Sequence, residues 1–201
     1  MSTIGISFHE VMSGGFALGA TDPEQGEKQG RSEGSEMTMH GFIDIQDLDL
    51  FINEPSHPGN LSGTLDFTPW GTGLQATSGI FNLFSPTDDP KLKLMVYEMA
   101  FQYGGKNYYF AGQKNVRQDP IFDLWKATTT LYSQLHEGTD KSGPVVGAGI
   151  LTLGVRQLID LVASMQAPGA TTFTEKSEAI AKFGRFFLGE LWDTYVRHVL
   201  P

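Results

Sequence analysis

The stretch LKLMVYEMAFQYGGKNYYFAG, Leu92 to Gly112, decides how this chain is read. Met95, Tyr97, Met99, Phe101 and Tyr103 fall on one parity, and in an extended strand alternate residues share a face, so the run reads as a strand with one apolar side. Gly104 and Gly105 then supply the positive φ that a two-residue hairpin turn demands, and NYYFAG begins the return strand. A tight antiparallel hairpin is predicted.

The same period runs through the text on either side. Met37, Met39, Ile43 and Ile45 share one parity against Thr38, His40 and Asp44, and Leu61, Leu65 and Phe67 alternate with Asn60, Ser62, Thr64 and Asp66. Between these two strands Asp47 is placed to cap a short helical turn through Ile52, which Pro55 and Pro58 close. GIFNLF, 79–84, is apolar on both faces, and VVGAGILTL, 145–153, reads as a strand after the loop GTDKSGP. DLWKATTTLY, 123–132, is predicted as a strand whose Trp125, Thr129 and Leu131 face inward, with Lys126 outward near its start, because threonine favours strands. Strands joined by short turns over residues 1–153 predict a mainly β fold: an antiparallel barrel or sandwich of about eight strands, in one domain spanning 1–201.

The C-terminal part changes period. Val155, Leu158, Ile159, Val162 and Met165 are spaced as on a helix that Pro168 and Gly169 end. Thr172 and Glu175 form a capping box for a second helix, reaching from about Thr174 to Val199, with Ile180, Phe183, Phe187, Leu191 and Tyr195 along one face. Phe186, Trp192 and Val196 widen that face, so the helix must pack on the barrel or on a partner. The segment Asp22–Glu36 holds five acidic and two basic residues, three glycines and nothing apolar, and is predicted as a mobile surface loop, 22–36.

Composition narrows the function classes. Of 201 residues 40% are hydrophobic and the net charge is -9 with no basic stripe, so a folded protein is expected and nucleic acid is not a partner. There is no cysteine, hence no disulfide, thiol nucleophile or thiolate metal site. The longest apolar run, Val145 to Leu153, is too short to span a membrane, and the reading is a cytoplasmic protein. Gly147 and Gly149 open like a dinucleotide fingerprint, but Thr152 stands where the third glycine belongs, and no cofactor is expected. No paired-histidine zinc motif and no nucleophile elbow occurs. His9 and Glu10 are neighbours on a strand and therefore point to opposite faces. Lys114, in a chain richer in acids than bases, is expected to pair with a carboxylate, Glu10 or Asp123.

FHEVMSG (8–14), GIFNLF, MVY (95–97), AGQK (111–114), DLWKATTTLY and FGRFFLGELWDTY (183–195) occur in this order along nearly the whole chain. Together they resemble a bacterial domain that accompanies GMC-type oxidoreductases of the cholesterol-oxidase kind, in which an aspartate usually stands where this chain has Ala127. The resemblance implies an accessory domain associated with sterol or lipid metabolism, with an oxidoreductase partner and without oxidase activity of its own. The sequence then leaves three classes open. A non-catalytic module binding an apolar, lipid- or sterol-like molecule comes first, through Tyr97, Phe101, Lys114, Trp125, Thr129 and Tyr132. A protein-interaction or homo-oligomerisation domain docking through the aromatic helix comes second, and an enzyme of lipid metabolism using His9, Glu10 and Lys114 third.

Overall fold

The computed structural model describes residues 3–117 and 122–188. Strands β1 (Ile6–Leu18), β2 (Glu36–Ile45), β3 (Pro58–Phe67), β4 (Gly71–Pro86), β5 (Leu92–Tyr103), β6 (Lys106–Arg117), β7 (Thr130–Glu137) and β8 (Val145–Thr152) follow one another around a closed eight-stranded barrel. Every neighbouring pair is antiparallel, and β8 returns to β1 through Ser13↔Thr152 and Phe16↔Gly149. Closure leaves the sheet no unpaired edge. The β5–β6 hairpin forms as its sequence predicts: Tyr103 pairs with Lys106, and Gly104 and Gly105 turn the chain at φ 56° and 78°.

Alternation fills the interior. Ile6, Phe8, Met12 and Phe16 of β1, Met95, Tyr97, Met99 and Phe101 of β5, and their counterparts around the wall are buried in one core. One end of the barrel is plugged by Phe67, Trp70, Phe101, Tyr103 and Tyr108, with Trp70 stacked on Tyr103 at 4.6 Å. The other end is covered by helices, of which α4 (Val155–Ser164) packs on β1, and α5 (Phe173–Leu188) lies over Phe8, Phe51 and Phe84. The α5 capping box is present: Glu175 N–H donates to Thr172 Oγ1 at 3.1 Å, and Thr172 N–H to Glu175 Oε2 at 3.1 Å. Asp47 caps the short helix α2 (Leu48–Asn53) by accepting from Leu50 N–H at 2.9 Å. Leu191, Trp192, Tyr195 and Val196 lie outside the described residues, so the predicted α5 face is seen only as far as Phe187. Among the described residues, no helix is long and apolar enough to cross a membrane.

Two expectations are corrected. The segment predicted as a loop over 22–36 contains a helix, α1 (Pro23–Glu33), capped by Asp22 and ended by Gly34 at φ 68°. It anchors without apolar side chains because Gly26 and Gly30 turn bare backbone to the barrel wall. A Cβ on Gly26 would lie 2.0 Å from the Ala148 carbonyl oxygen, and one on Gly30 2.3 Å from Phe16 N. Gly26 and Gly30, four positions apart, form the face that docks.

The second correction is the threonine run. Phe122–Thr129 is a helix, α3, and the strand begins only at Thr130. Leu124, Lys126 and Ala127 are good helix formers, and tertiary context overrides the strand preference of Thr128 and Thr129 where the chain packs against β6 before entering β7. Lys126 is exposed while Thr129 and Leu131 are buried, as expected, although the period behind that expectation does not hold. The Trp125 side chain lies outside what the structure describes.

Candidate ligand-binding site

Glu10 shares the inward parity of Phe8 and Met12 on β1, and Lys114 that of Phe110 and Val116 on β6. With β7 and β8 between their strands, the two face each other across the lumen. Lys114 Nζ donates to Glu10 Oε1 at 2.7 Å, with side-chain exposures of 1% and 3%. The ammonium also lies 4.8 Å from the centre of the Tyr97 ring. Burial first, and the Glu10 carboxylate second, raise the Tyr97 hydroxyl well above its ordinary value, so it stays protonated as a donor. An ion pair this deep survives because each charge is met by the other; alone, either would be heavily penalised.

Glu10, with Lys114 held on it, and Tyr97 form the floor of a cavity of about 40 Å³ at the helix-covered end, which Glu10 and Tyr97 line. Phe8, Phe81, Met95 and Leu153 wall it from the barrel, and Leu161, Met165, Phe183 and Phe187 roof it. Thr128 and Thr129 of the last α3 turn also reach it, side by side because a helix, not a strand, presents them. Its volume gives space to water-sized molecules, well below the roughly 300–1,000 Å³ of a drug-sized site, so a larger guest requires the roof to shift.

The roof is an aromatic stack on an unusual support. Phe183 and Phe187 are parallel at 6.1 Å, Phe187 stacks on Phe84 at 5.9 Å, and Phe186 meets the His57 ring at 4.8 Å. His57 and Phe84 hold φ of 43° and 53°, the left-handed region that side-chain-bearing residues rarely adopt. At Phe84 a register shift between Asn82 and Ser85 accompanies it. GIFNLF therefore reads apolar on both faces for a reason: Phe81 and Leu83 point into the barrel, and Phe84 is turned out to meet α5.

Of the residues expected at a ligand site, Tyr97 and Thr129 line this cavity, and Lys114 joins them through Glu10 and the Tyr97 ring. Phe101 belongs to the aromatic plug at the opposite end, 5.8 Å from Tyr108, and Tyr132 faces outward on β7. His9 is exposed on the outer face and does not join Glu10 and Lys114. Glu10, expected as a partner of Lys114 but not as a ligand-lining residue, lines the floor, and an acid in register with Phe8 and Met12 is a signal the text carries. The roof residues Met165, Phe183 and Phe187 were legible as helix faces in need of cover, but only the path of α4 and α5 places them over the cavity. Among the described residues, no group of three or more His, Asp or Glu is placed to hold a metal ion. Comparison with protein-family models, curated proteins and solved structures gives no match.

Proposed function

We propose that this barrel is a non-catalytic module that binds an apolar small molecule carrying one hydroxyl, with its hydrocarbon under α4 and α5 and its hydroxyl on Glu10. The carrying observation is the buried Glu10, paired with Lys114, beside Tyr97 at the floor of a mostly apolar cavity. An ionised carboxylate has about four acceptor positions, so Glu10 can take a donor from a ligand beside the Lys114 ammonium. A hydrogen bond to a charged group in a dry site is worth roughly 1.5–3 kcal/mol, enough to select among ligands of equal apolar size. A carboxylate ligand would set a second negative charge beside Glu10. The resemblance of the six sequence segments supports an accessory role beside a GMC-type oxidoreductase, and the alcohol end-group is chemistry that such a partner would share.

Titration calorimetry with 1-decanol and decanoate tests this reading. The alcohol is expected to bind at least about tenfold more tightly than the acid, a difference of about 1.4 kcal/mol. Equal affinities, or preference for the acid, would remove Glu10 from ligand recognition. The competing reading, docking through the aromatic helix, is weakened by the structure's own packing: as far as Phe187 the α5 rings already lie on Phe8, Phe51 and Phe84.

A further inference from the structure

The outer wall of β5, β6 and β7 holds a second recess, of about 460 Å³, that owes nothing to the lumen. Register puts Ala111 at its centre: Glu98 pairs with Ala111 on one side and Gln134 on the other, while the rows beside it hold Tyr109 with His136 and Gln113 with Tyr132. A methyl among long side chains leaves a hollow. Pro23 at the start of α1 and Lys141 in the β7–β8 loop raise its rim.

The groups around the hollow are oriented, and several keep a free hydrogen-bonding position. His136 is 6% exposed, and its Nδ1 is within 2.9 Å of the Gly143 carbonyl, which accepts only from N–H. Nδ1 therefore carries a proton, and Nε2, with no partner among the described residues, is the ring's open position, a lone-pair acceptor in the neutral form. Gln134 donates Nε2 to the Thr21 carbonyl at 2.7 Å, which fixes its amide and leaves Oε1 as an acceptor. Glu98 is buried between Lys141 Nζ at 2.5 Å and the Tyr109 hydroxyl, so its charge is already met. Burial, and then Glu98, raise the Tyr109 hydroxyl well above its ordinary value, keeping it a donor.

We infer that this recess binds an uncharged, hydroxyl-rich ring of the pyranose kind. Within the lining the Glu98 and Lys141 charges offset each other, so the lining itself favours neither an anion nor a cation. The fixed acceptors His136 Nε2 and Gln134 Oε1 call for several donors on one molecule. Val96 and the half-buried Tyr132 ring offer an apolar platform for the flat face of a sugar.

The test is a heteronuclear NMR titration of the whole chain with glucose, galactose, N-acetylglucosamine and, as a flat non-sugar competitor, adenine. Saturable shifts at Val96, Ala111 and Gln134 with at least one sugar, and none with adenine, are expected. Ala111→Leu fills the hollow from the solvent side without touching the core, and should weaken the affinity about tenfold or more while leaving the melting temperature in place. Tyr132→Ala should weaken it in the same direction. No response to any of the three sugars, a response to adenine alone, or sugar shifts unchanged in Ala111→Leu would each overturn the assignment.

Discussion

Glu10 and Lys114 lie 104 positions apart in the chain and 2.7 Å apart in the fold, and each keeps the other's buried charge tolerable. Replacing one alone leaves an uncompensated charge in the core. Lys114→Met is expected to destabilise the protein by roughly 3–5 kcal/mol, whereas Glu10→Leu with Lys114→Met should recover most of that loss or exceed the parent, as paired removals of buried ions do. Urea denaturation of the two variants checks it, and a single variant within about 1 kcal/mol of the parent would show that the pair is not buried as described. A second test at this scale concerns Glu175, whose carboxyl is held below its ordinary 4.5 first by the Thr171 backbone N–H, then by the Thr171 hydroxyl and the Thr172 backbone N–H. A depressed carboxylate stabilises the fold while ionised, fully above its ordinary value, and the effect fades as pH falls through the lowered folded-state value. Glu175→Gln should therefore melt earlier than the parent at neutral pH, and the two curves should converge in acid. Both residues were legible to different degrees. The capping box reads directly from Thr172 and Glu175, while a carboxylate partner for Lys114 follows from charge balance, and its identity only from barrel closure.

At the scale of elements, α1 shows where sequence reading runs out. A polar segment with glycine every fourth residue resembles a loop because helix anchoring is usually read from apolar side chains, and here backbone contact replaces them. Gly→Ala in an exposed helix interior normally stabilises by about 1 kcal/mol through propensity. Gly26→Ala should do the reverse, since its methyl meets the Ala148 carbonyl, and α1 amides should lose protection from hydrogen exchange before the barrel does. Faster melting in Gly26→Ala supports the docked helix, and stabilisation would contradict it. The threonine run misleads for the complementary reason: β-branched residues favour strands only when nothing else decides, and packing of α3 against β6 decides for 128 and 129. Strands with strict alternation, by contrast, were readable because a one-residue slip would turn every core side chain outward.

For the whole molecule, the hairpins between sequence neighbours were legible strand by strand, while the β1–β8 pairing that makes a barrel was not, because nothing local distinguishes a barrel from a sandwich. That closure gives the molecule one aromatic-plugged end and one helix-covered end, and confines the lumen's polar trio to the second. In the described state the cavity is small, so occupation must move the roof, and the left-handed Phe84 and His57 under Phe186 and Phe187 are where that movement would be felt. Phe187→Ala should ease entry, raising the association rate for 1-decanol while its stacking on Phe183 and Phe84 is lost; stopped-flow fluorescence would record an unchanged rate if α5 does not gate the site. The most direct test is an isotope-filtered NOE experiment on the complex with 1-decanol. Contacts from the alkyl protons to Phe8, Leu153 and Phe183, with the carbinol protons nearest Glu10 and Tyr97, are the predicted result; contacts confined to the outer wall or to the Trp70 end would contradict it.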